Sequence, residues 1–262
     1  MSACALLAGC ASLWPDGFTP DSADMEAAIQ SSAWAAQSQI ALADENAAWR
    51  HKTFGDRRPT RYRPERHAGR PAVHADSLAG NSSLRLEMST HPGAQAGQLR
   101  FSWFVPALID EADLMDREVD DAVARVILLF DGDRLQAFTP RDHVISELAR
   151  LVTGEPLPYA TLIYVWDNRY PVGSVIANPH TNRIRQLVVE SGPDRLGQWI
   201  DVERDVQADY RQVFGETAGP LLSIGIMTDS NNTGAAAQAW FGPLSLTSAR
   251  GSLKADVGAR PD

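Results

Sequence analysis

Aromatic residues in the apolar stretches indicate where a sugar could bind. Tyr164 and Trp166 are two positions apart, so in a strand they share one face, and Asn168 follows them in a polar segment. Rings can stack on sugars while amide and charged groups bond the hydroxyls. We therefore expect Trp166, Tyr164 and Trp240 to be ligand-binding residues, with Arg125 and Asn168 as polar contacts to the ligand. We expect Trp166→Ala to fold but lose glycan binding.

Two adjacent carboxylates, Asp120 and Asp121, precede the apolar stretch that contains Arg125. Neighbouring residues of a strand point to opposite faces, so both carboxylates can reach one pocket only from a turn. In a turn, one could pair with Arg125 while the other binds a cation or backbone N–H groups. The alternative is a solvated loop held by a buried Asp–Arg pair.

The segment 228–233 (Thr-Asp-Ser-Asn-Asn-Thr) is rich in side-chain oxygens. Calcium takes about six to eight oxygen ligands, so Asp229 and Asn231 are candidate calcium ligands, and Asn231 is also a candidate sugar contact. The alternative is a plain turn, because these side chains hydrogen-bond their own backbone. The spacing matches no EF-hand.

Carboxylates also permit catalysis by an acid and a base. Asp120, Asp121, Glu190 and Asp229 are the candidate catalytic residues of a glycoside hydrolase or polysaccharide lyase, with Arg125 stabilising negative charge. The sequence contains no GxSxG, HExxH, CxxC, P-loop or GxGxxG motif, and its 6 histidines form no pair at metal-ligand spacing.

Composition and the N-terminus indicate where the protein acts. The net charge of −9 over 262 residues argues against a nucleic-acid partner, and no apolar run approaches the ~18 residues of a spanning helix. Leu7-Ala-Gly-Cys10 resembles a lipoprotein lipobox, although no basic segment precedes it. We interpret residues 1–10 as a truncated signal remnant and expect lipidation at Cys10. That places the protein at the outer membrane, on its periplasmic side or its surface.

The pattern of short apolar stretches predicts the fold. Helices are predicted over Arg141–Leu151 and Asp205–Phe214, and residues 11–47 are expected to be an Ala/Ser-rich linker or helix. Residues 48–247 are predicted to form one mainly β domain, an antiparallel β-sandwich of jelly-roll type with one or two short helices, followed by a flexible tail at 248–262. The predicted strands are 48–54, 59–65, 71–76, 83–89, 98–105, 123–130, 160–166, 184–190, 198–204, 220–227 and 236–246.

A family resemblance adds to this pattern. Its landmarks are Trp103 and Pro106, Asp120-Asp-x-x-Ala-Arg-Val126, Tyr164-x-Trp166, Trp199, Asp209-Tyr210 and Ile226-Met-Thr-Asp-x-Asn-x-Thr233. The set resembles the bacterial exported family called domain of unknown function 3047. The resemblance implies an exported sandwich similar to galactose-binding-like and carbohydrate-binding modules, and no established activity. Where the family pattern leads us to expect an Asp, this chain has Asn231 or Asn232, which weakens a calcium site.

Three functions stay open from the sequence. The first is an envelope lipoprotein that recognises an oligosaccharide or polysaccharide, with no cofactor or with Ca²⁺. The second is a polysaccharide-active enzyme, which an exposed cleft rimmed by acids would favour. The third is a structural outer-membrane lipoprotein, which burial of Tyr164, Trp166 and Trp240 would favour.

Overall fold

The computed structural model describes residues 22–88, 95–178 and 181–249. They form two seven-stranded sheets, with 14 strands and five helices in all. The strands are β1 (Gln39–Ile40), β2 (Trp49–Thr53), β3 (Arg61–His67), β4 (Arg70–Leu78), β5 (Asn81–Glu87), β6 (Gln95–Phe104), β7 (Ala122–Phe130), β8 (Ala160–Asp167), β9 (Val175–Ala177), β10 (Ile184–Ser191), β11 (Trp199–Asp205), β12 (Leu221–Asp229), β13 (Ala236–Phe241) and β14 (Ser245–Ala249). The helices are α1 (Ser22–Gln30), α2 (Ala33–Gln37), α3 (Arg134–Ala137), α4 (Pro140–Thr153) and α5 (Val206–Phe214).

The two sheets are built from strands that are mostly distant in sequence. Sheet A has the order β1-β14-β6-β13-β4-β3, with β11 also paired to β6, and sheet B has the order β2-β5-β12-β7-β8-β10-β9. This arrangement confirms the predicted mainly β sandwich. The prediction of purely antiparallel pairing was too simple, because β1 pairs with β14 and β8 with β10 in parallel. The described part of residues 48–247 contains three helices, α3, α4 and α5, where one or two were predicted.

The main core lies between the sheets and explains why the central strands of sheet B are so apolar. In β8, Leu162, Tyr164 and Trp166 face the core between the sheets, whereas Ile163 and Val165 belong to a second apolar cluster. That cluster lies on the outer face of sheet B, because alternate side chains of a strand point to opposite faces. All of β8 is therefore buried.

Helix α4 lies beside the outer face of sheet B. Thr139 and Asp142 form a capping box at its start, and Gly154 ends it in the left-handed conformation. Its buried residues are the polar Asp142 and Ser146, whereas apolar side chains such as Leu148 are exposed. The helix is attached through polar contacts, including a 2.7 Å hydrogen bond from Thr181 Oγ1 to Asp142.

The N-terminal segment of the described chain packs onto the sandwich. Ile29 of α1 and Trp34 of α2 are buried in the main core, and β1 extends sheet A. From residue 22 onward, the segment expected to be a linker or helix forms α1, α2 and β1. Cys10, His91, His180 and the residues after 249 lie outside the described residues. No helix in the described ranges is long and apolar enough to cross a bilayer.

Candidate functional site

The structure places Trp166 and Tyr164 in the core between the sheets. Trp166 is 1% exposed, its ring centroid lies 6.0 Å from that of Trp103, and its Nε1 donates to Gly192 O at 3.1 Å. Tyr164 donates its hydroxyl to Asp209 at 2.9 Å. This position corrects the expectation of a sugar-stacking platform on β8. The sequence pattern shows that the two rings share a face, but not which face is covered.

Trp240 lies on the other side of sheet A and is also covered. Its ring is stacked between His67, at a centroid distance of 3.9 Å, and His74, at 4.3 Å. Its Nε1 donates to Glu65 at 2.7 Å. Both faces of the indole are in contact with imidazole rings, so Trp240 offers no free face to a sugar in this structure.

Three of the four predicted acidic residues, Asp120, Asp121 and Asp229, come together at one end of sheet B. The end of β12 lies beside the start of β7, which brings Asp229 to Arg125, and the two form a buried ion pair. Asp121 accepts hydrogen bonds from the backbone N–H groups of Asn232 and Thr233 and from the Thr233 hydroxyl. We call Asp120, Asp121, Arg125, Asp229 and the turn 230–233 the acidic clamp, because it fixes the turn to the segment before β7.

The polar groups of the acidic clamp bond mainly to one another. Arg125 also donates to the carbonyl of Asp120, and Asn231 lies within hydrogen-bonding distance of Asp229. The described residues contain no group of three or more His, Cys, Asp or Glu placed to hold a metal ion. Arg125 already supplies the positive charge beside Asp229. Calcium binding at Asp229 and Asn231 stays a prediction, and this ion pair argues against it.

Asp229 titrates in an unusual range. Burial raises its pKa from the ordinary 3.8 to about 6, although the Arg125 guanidinium lowers it and the Asp121 carboxylate raises it further. The folded state therefore holds this proton more tightly than the unfolded state does. The contribution of Asp229 to stability is fully present below pH 3.8 and is lost as the pH rises through about 6.

This shift leads to a pH prediction. From pH 4.5 to pH 7.5, we expect the free energy of unfolding of the wild type to fall relative to that of Asp229→Asn, by roughly 2–3 kcal/mol. Urea denaturation at several pH values measures this difference. A difference that rises with pH would show that the Arg125 ion pair, and not burial, controls the pKa of Asp229.

The remaining predicted residues lie at the same end of sheet B, but on β10 and after β8. Glu190, near the end of β10, accepts from Arg195 Nη1 at 2.7 Å. Asn168, just after β8, donates to the carbonyls of Ile109 and Ala112 and holds the segment before β7 in place. The contacts of Glu190 are made within its own segment, so the structure does not join it to the acidic clamp.

A pocket that sequence reasoning missed lies on the outer face of sheet B. It has a volume of about 400 Å³, and we call it the sheet B pocket. Ile127 and Ile163 form part of its apolar lining, and Phe54 contributes an aromatic ring. Residues from α4 and the segment 155–158 line its opposite side, among them Ala149. The enclosure is therefore made by helix and loop residues that lie between β7 and β8 in the chain.

Charged side chains converge on the sheet B pocket. Glu155 accepts from Lys52 Nζ at 2.5 Å and from Arg85 Nη1 at 3.4 Å. Partial burial raises the pKa of Glu87, Lys52 lowers it, and the Glu155 carboxylate raises it further. Arg134 also lines the pocket. An apolar pocket with a few convergent polar groups is the usual form of a ligand site.

One buried hydroxyl in this pocket lacks a partner. Ser223 is 0% exposed and lines the pocket, and its Oγ has no hydrogen-bond partner in the described part of the chain. A buried hydroxyl without a partner carries a free-energy cost that a bound ligand can relieve. A signal for this site exists in the sequence, because Ser83, Arg85 and Glu87 alternate with Leu84 and Leu86 in one strand. The alternation alone does not show that a pocket covers the polar face.

The family follows from a comparison with protein-family profiles. Residues 47–245 match the family described as a protein of unknown function, DUF3047. The chain belongs to this family. The match confirms the resemblance inferred from the landmark residues, and it includes both the acidic clamp and the sheet B pocket.

Other comparisons give no functional information about this DUF3047 member. No curated protein matches the chain. Among solved structures, the chain is similar to the xyloglucanase domain of NopAA, a type three effector from Sinorhizobium fredii, in complex with cellobiose. The identity is 9%, the TM-score is 0.31, and the match covers 76% of this chain and 98% of that one. A likeness at that level carries no argument about function.

Proposed function

We propose that this chain is a carbohydrate-binding domain and that the sheet B pocket is its sugar site. The observation that carries the proposal is the combination of an apolar lining, the Phe54 ring and converging charged side chains around about 400 Å³. This volume lies within the range of about 300–1,000 Å³ that is typical of small-molecule sites. A sugar ring could pack its C–H face on Phe54, Ile127 and Ile163.

The charged lining favours a sugar over a purely apolar ligand. An apolar ligand would remove water from Lys52, Arg85 and Glu155 without replacing the lost hydrogen bonds, which is costly. Sugar hydroxyls both donate and accept, so they can replace that water at cationic and anionic groups alike. The Ser223 hydroxyl offers a further partner.

The proposal includes an envelope location. Its support is the Leu7-Ala-Gly-Cys10 sequence, which would make Cys10 the acylated residue. Lipid chains at Cys10 would hold the domain at the outer membrane, with several chains needed for stable anchoring. Residues 11–21 would then connect the anchor to α1.

Filling the pocket tests the proposed site. Ala149 lines the pocket from α4, so Ala149→Phe should weaken binding of any glycan found on an array by at least about tenfold, measured by calorimetry. The matched control is Leu148→Phe, because Leu148 is the neighbouring residue of α4 and is exposed. Equal binding by both variants, or a panel on which no glycan binds, would overturn the proposed site.

A second function, a polysaccharide-active enzyme, is favoured by the carboxylates of the pocket. Glu87 has a raised pKa, whereas Glu155 is paired with Lys52 and Arg85. Two carboxylates with different environments are the usual acid and base of glycoside hydrolysis. This pair replaces the predicted set of Asp120, Asp121, Glu190 and Asp229, whose described contacts are internal. Mass spectrometry for new sugar ends on the same panel distinguishes an enzyme from a binding domain.

A further inference from the structure

We infer that the ligand of the sheet B pocket is an acidic saccharide, such as a uronic acid unit, whose carboxylate binds Arg85 and Lys52. This inference rests on the proposed function, because it names the class of sugar that the same pocket takes. Its basis is the balance of charge around the pocket, the way in which Arg85 is held, and the unpartnered polar atoms beside it.

The pocket has an excess of positive charge in an acidic protein. Lys52, Arg85 and Arg134 line it, against the carboxylates of Glu87 and Glu155. Glu155 forms ion pairs with two of these cations, Lys52 and Arg85. The chain as a whole carries a net charge of −9, so the excess of cations around the pocket is opposite in sign to the charge of the whole protein. One further anion in the pocket would balance the three cations.

Arg85 is fixed in position before any ligand arrives. It is 9% exposed, its Nε donates to Ser83 Oγ at 2.9 Å, and its Cζ lies 5.6 Å from the centre of the Phe54 ring. Gly225 lies opposite it in β12, where an added Cβ would come within 2.9 Å of Arg85 Cγ. The glycine thus leaves room for the Arg85 side chain to lie across the sheet.

The contact between Arg85 and Glu155 is weak enough to leave a role for a ligand. Its length is 3.4 Å, whereas charge-assisted N–H···O bonds are usually about 2.7–2.9 Å. Burial lowers the pKa of Arg85, which means that its charged form is poorly solvated where it lies, although Glu155 raises the pKa again. A ligand carboxylate can accept two parallel hydrogen bonds from the planar guanidinium of Arg85. The ammonium group of a lysine cannot make this paired contact.

Two buried polar atoms of the pocket could donate hydrogen bonds to further oxygen atoms of the ligand. In the described chain, neither the Ser223 hydroxyl nor Arg134 Nε has a hydrogen-bond partner, and both residues line the pocket. The Arg134 guanidinium makes a long contact of 3.7 Å with Asp131 through another nitrogen. Unpaired donors within a single pocket favour a ligand rich in acceptor oxygens, as a sugar acid is.

The test compares two disaccharides that differ only in one group. One carries β-1,4-linked glucuronic acid at its non-reducing end, and the other carries glucose there. Calorimetry on the full chain should give at least about tenfold tighter binding of the acidic disaccharide, with an advantage that shrinks as salt is added. Arg85→Met and Lys52→Met should each reduce that preference to about twofold or less, because the acidic disaccharide loses a charge-assisted contact and the neutral disaccharide only a hydroxyl contact.

The outcomes separate the inference from the proposed function. Lys52→Met keeps the test valid if Arg85→Met fails to fold, since Lys52 is the more exposed residue. Arg100→Met is the control, because Arg100 is an exposed residue of sheet A that pairs with Glu203. Equal binding of both disaccharides would overturn the acidic ligand and leave the sugar site standing. Tighter binding of octanoate than of either disaccharide, or binding of neither disaccharide, would overturn the sugar site as well.

Discussion

Trp166→Ala is expected to lower the free energy of unfolding by about 3–5 kcal/mol. The indole lies in the core between the sheets, so its loss leaves a cavity and also leaves the Gly192 carbonyl without its donor. Urea denaturation, followed by far-UV circular dichroism, measures the change as a shift of the midpoint. The sequence led to the opposite expectation, a variant that folds normally and fails only to bind glycan.

A surface variant provides the control for this experiment. Leu135 is 88% exposed, so Leu135→Ala should change the free energy of unfolding by less than about 0.5 kcal/mol. Trp166→Phe should have an intermediate effect, because most of the ring volume is kept while the hydrogen bond to Gly192 is lost. If Trp166→Ala unfolds at the wild-type urea midpoint, the placement of Trp166 in the core is wrong.

Arg125→Leu should have a similarly large effect on stability. Removing one partner of a buried ion pair leaves the other charge uncompensated, which costs about 3–5 kcal/mol. In this variant Asp229 loses its counter-ion, and the carbonyl of Asp120 loses a donor. The protonated form of Asp229 then becomes more favourable, so the destabilisation should be smaller at pH 5 than at pH 8. Denaturation curves at both pH values measure this.

Two further variants isolate the ion pair. Arg150→Leu removes an exposed arginine that pairs with Glu147, and its effect should stay below about 0.5 kcal/mol. The double variant Arg125→Leu with Asp229→Leu removes both buried charges and should recover part of the lost stability. The role assigned to the acidic clamp fails if Arg125→Leu is as mild as Arg150→Leu.

Most of the strands could be predicted because their local patterns are strong. Each of the eleven predicted stretches overlaps a strand, and the last of them contains β13 and the first two residues of β14. The helix predicted over Asp205–Phe214 is present as α5, and Asp205 is its N-cap, because its side chain accepts from the Ala208 backbone at 3.0 Å. The strands β1 and β9 were not predicted, because two or three residues show no periodicity.

The site was harder to predict because it depends on contacts between distant segments. The spacing of Tyr164 and Trp166 shows a shared face, but only the packing of sheet A against sheet B shows that this face is buried. The acidic clamp needed the pairing of β7 with β12, which brings residue 121 beside residues 232 and 233. The sheet B pocket is lined by residues from strands of sheet B and from the α4 region. No local sequence pattern indicates that these segments lie close together.

The burial of the indole rings has a consequence for spectroscopy. Five of the six tryptophans in the described ranges are buried, namely Trp34, Trp49, Trp103, Trp166 and Trp240, and none of the six lines the sheet B pocket. Intrinsic fluorescence should therefore be blue-shifted in the native state and should move strongly to the red on denaturation. The same emission should stay almost constant when a saccharide is added. A titration in which tryptophan emission does not change is therefore compatible with saccharide binding.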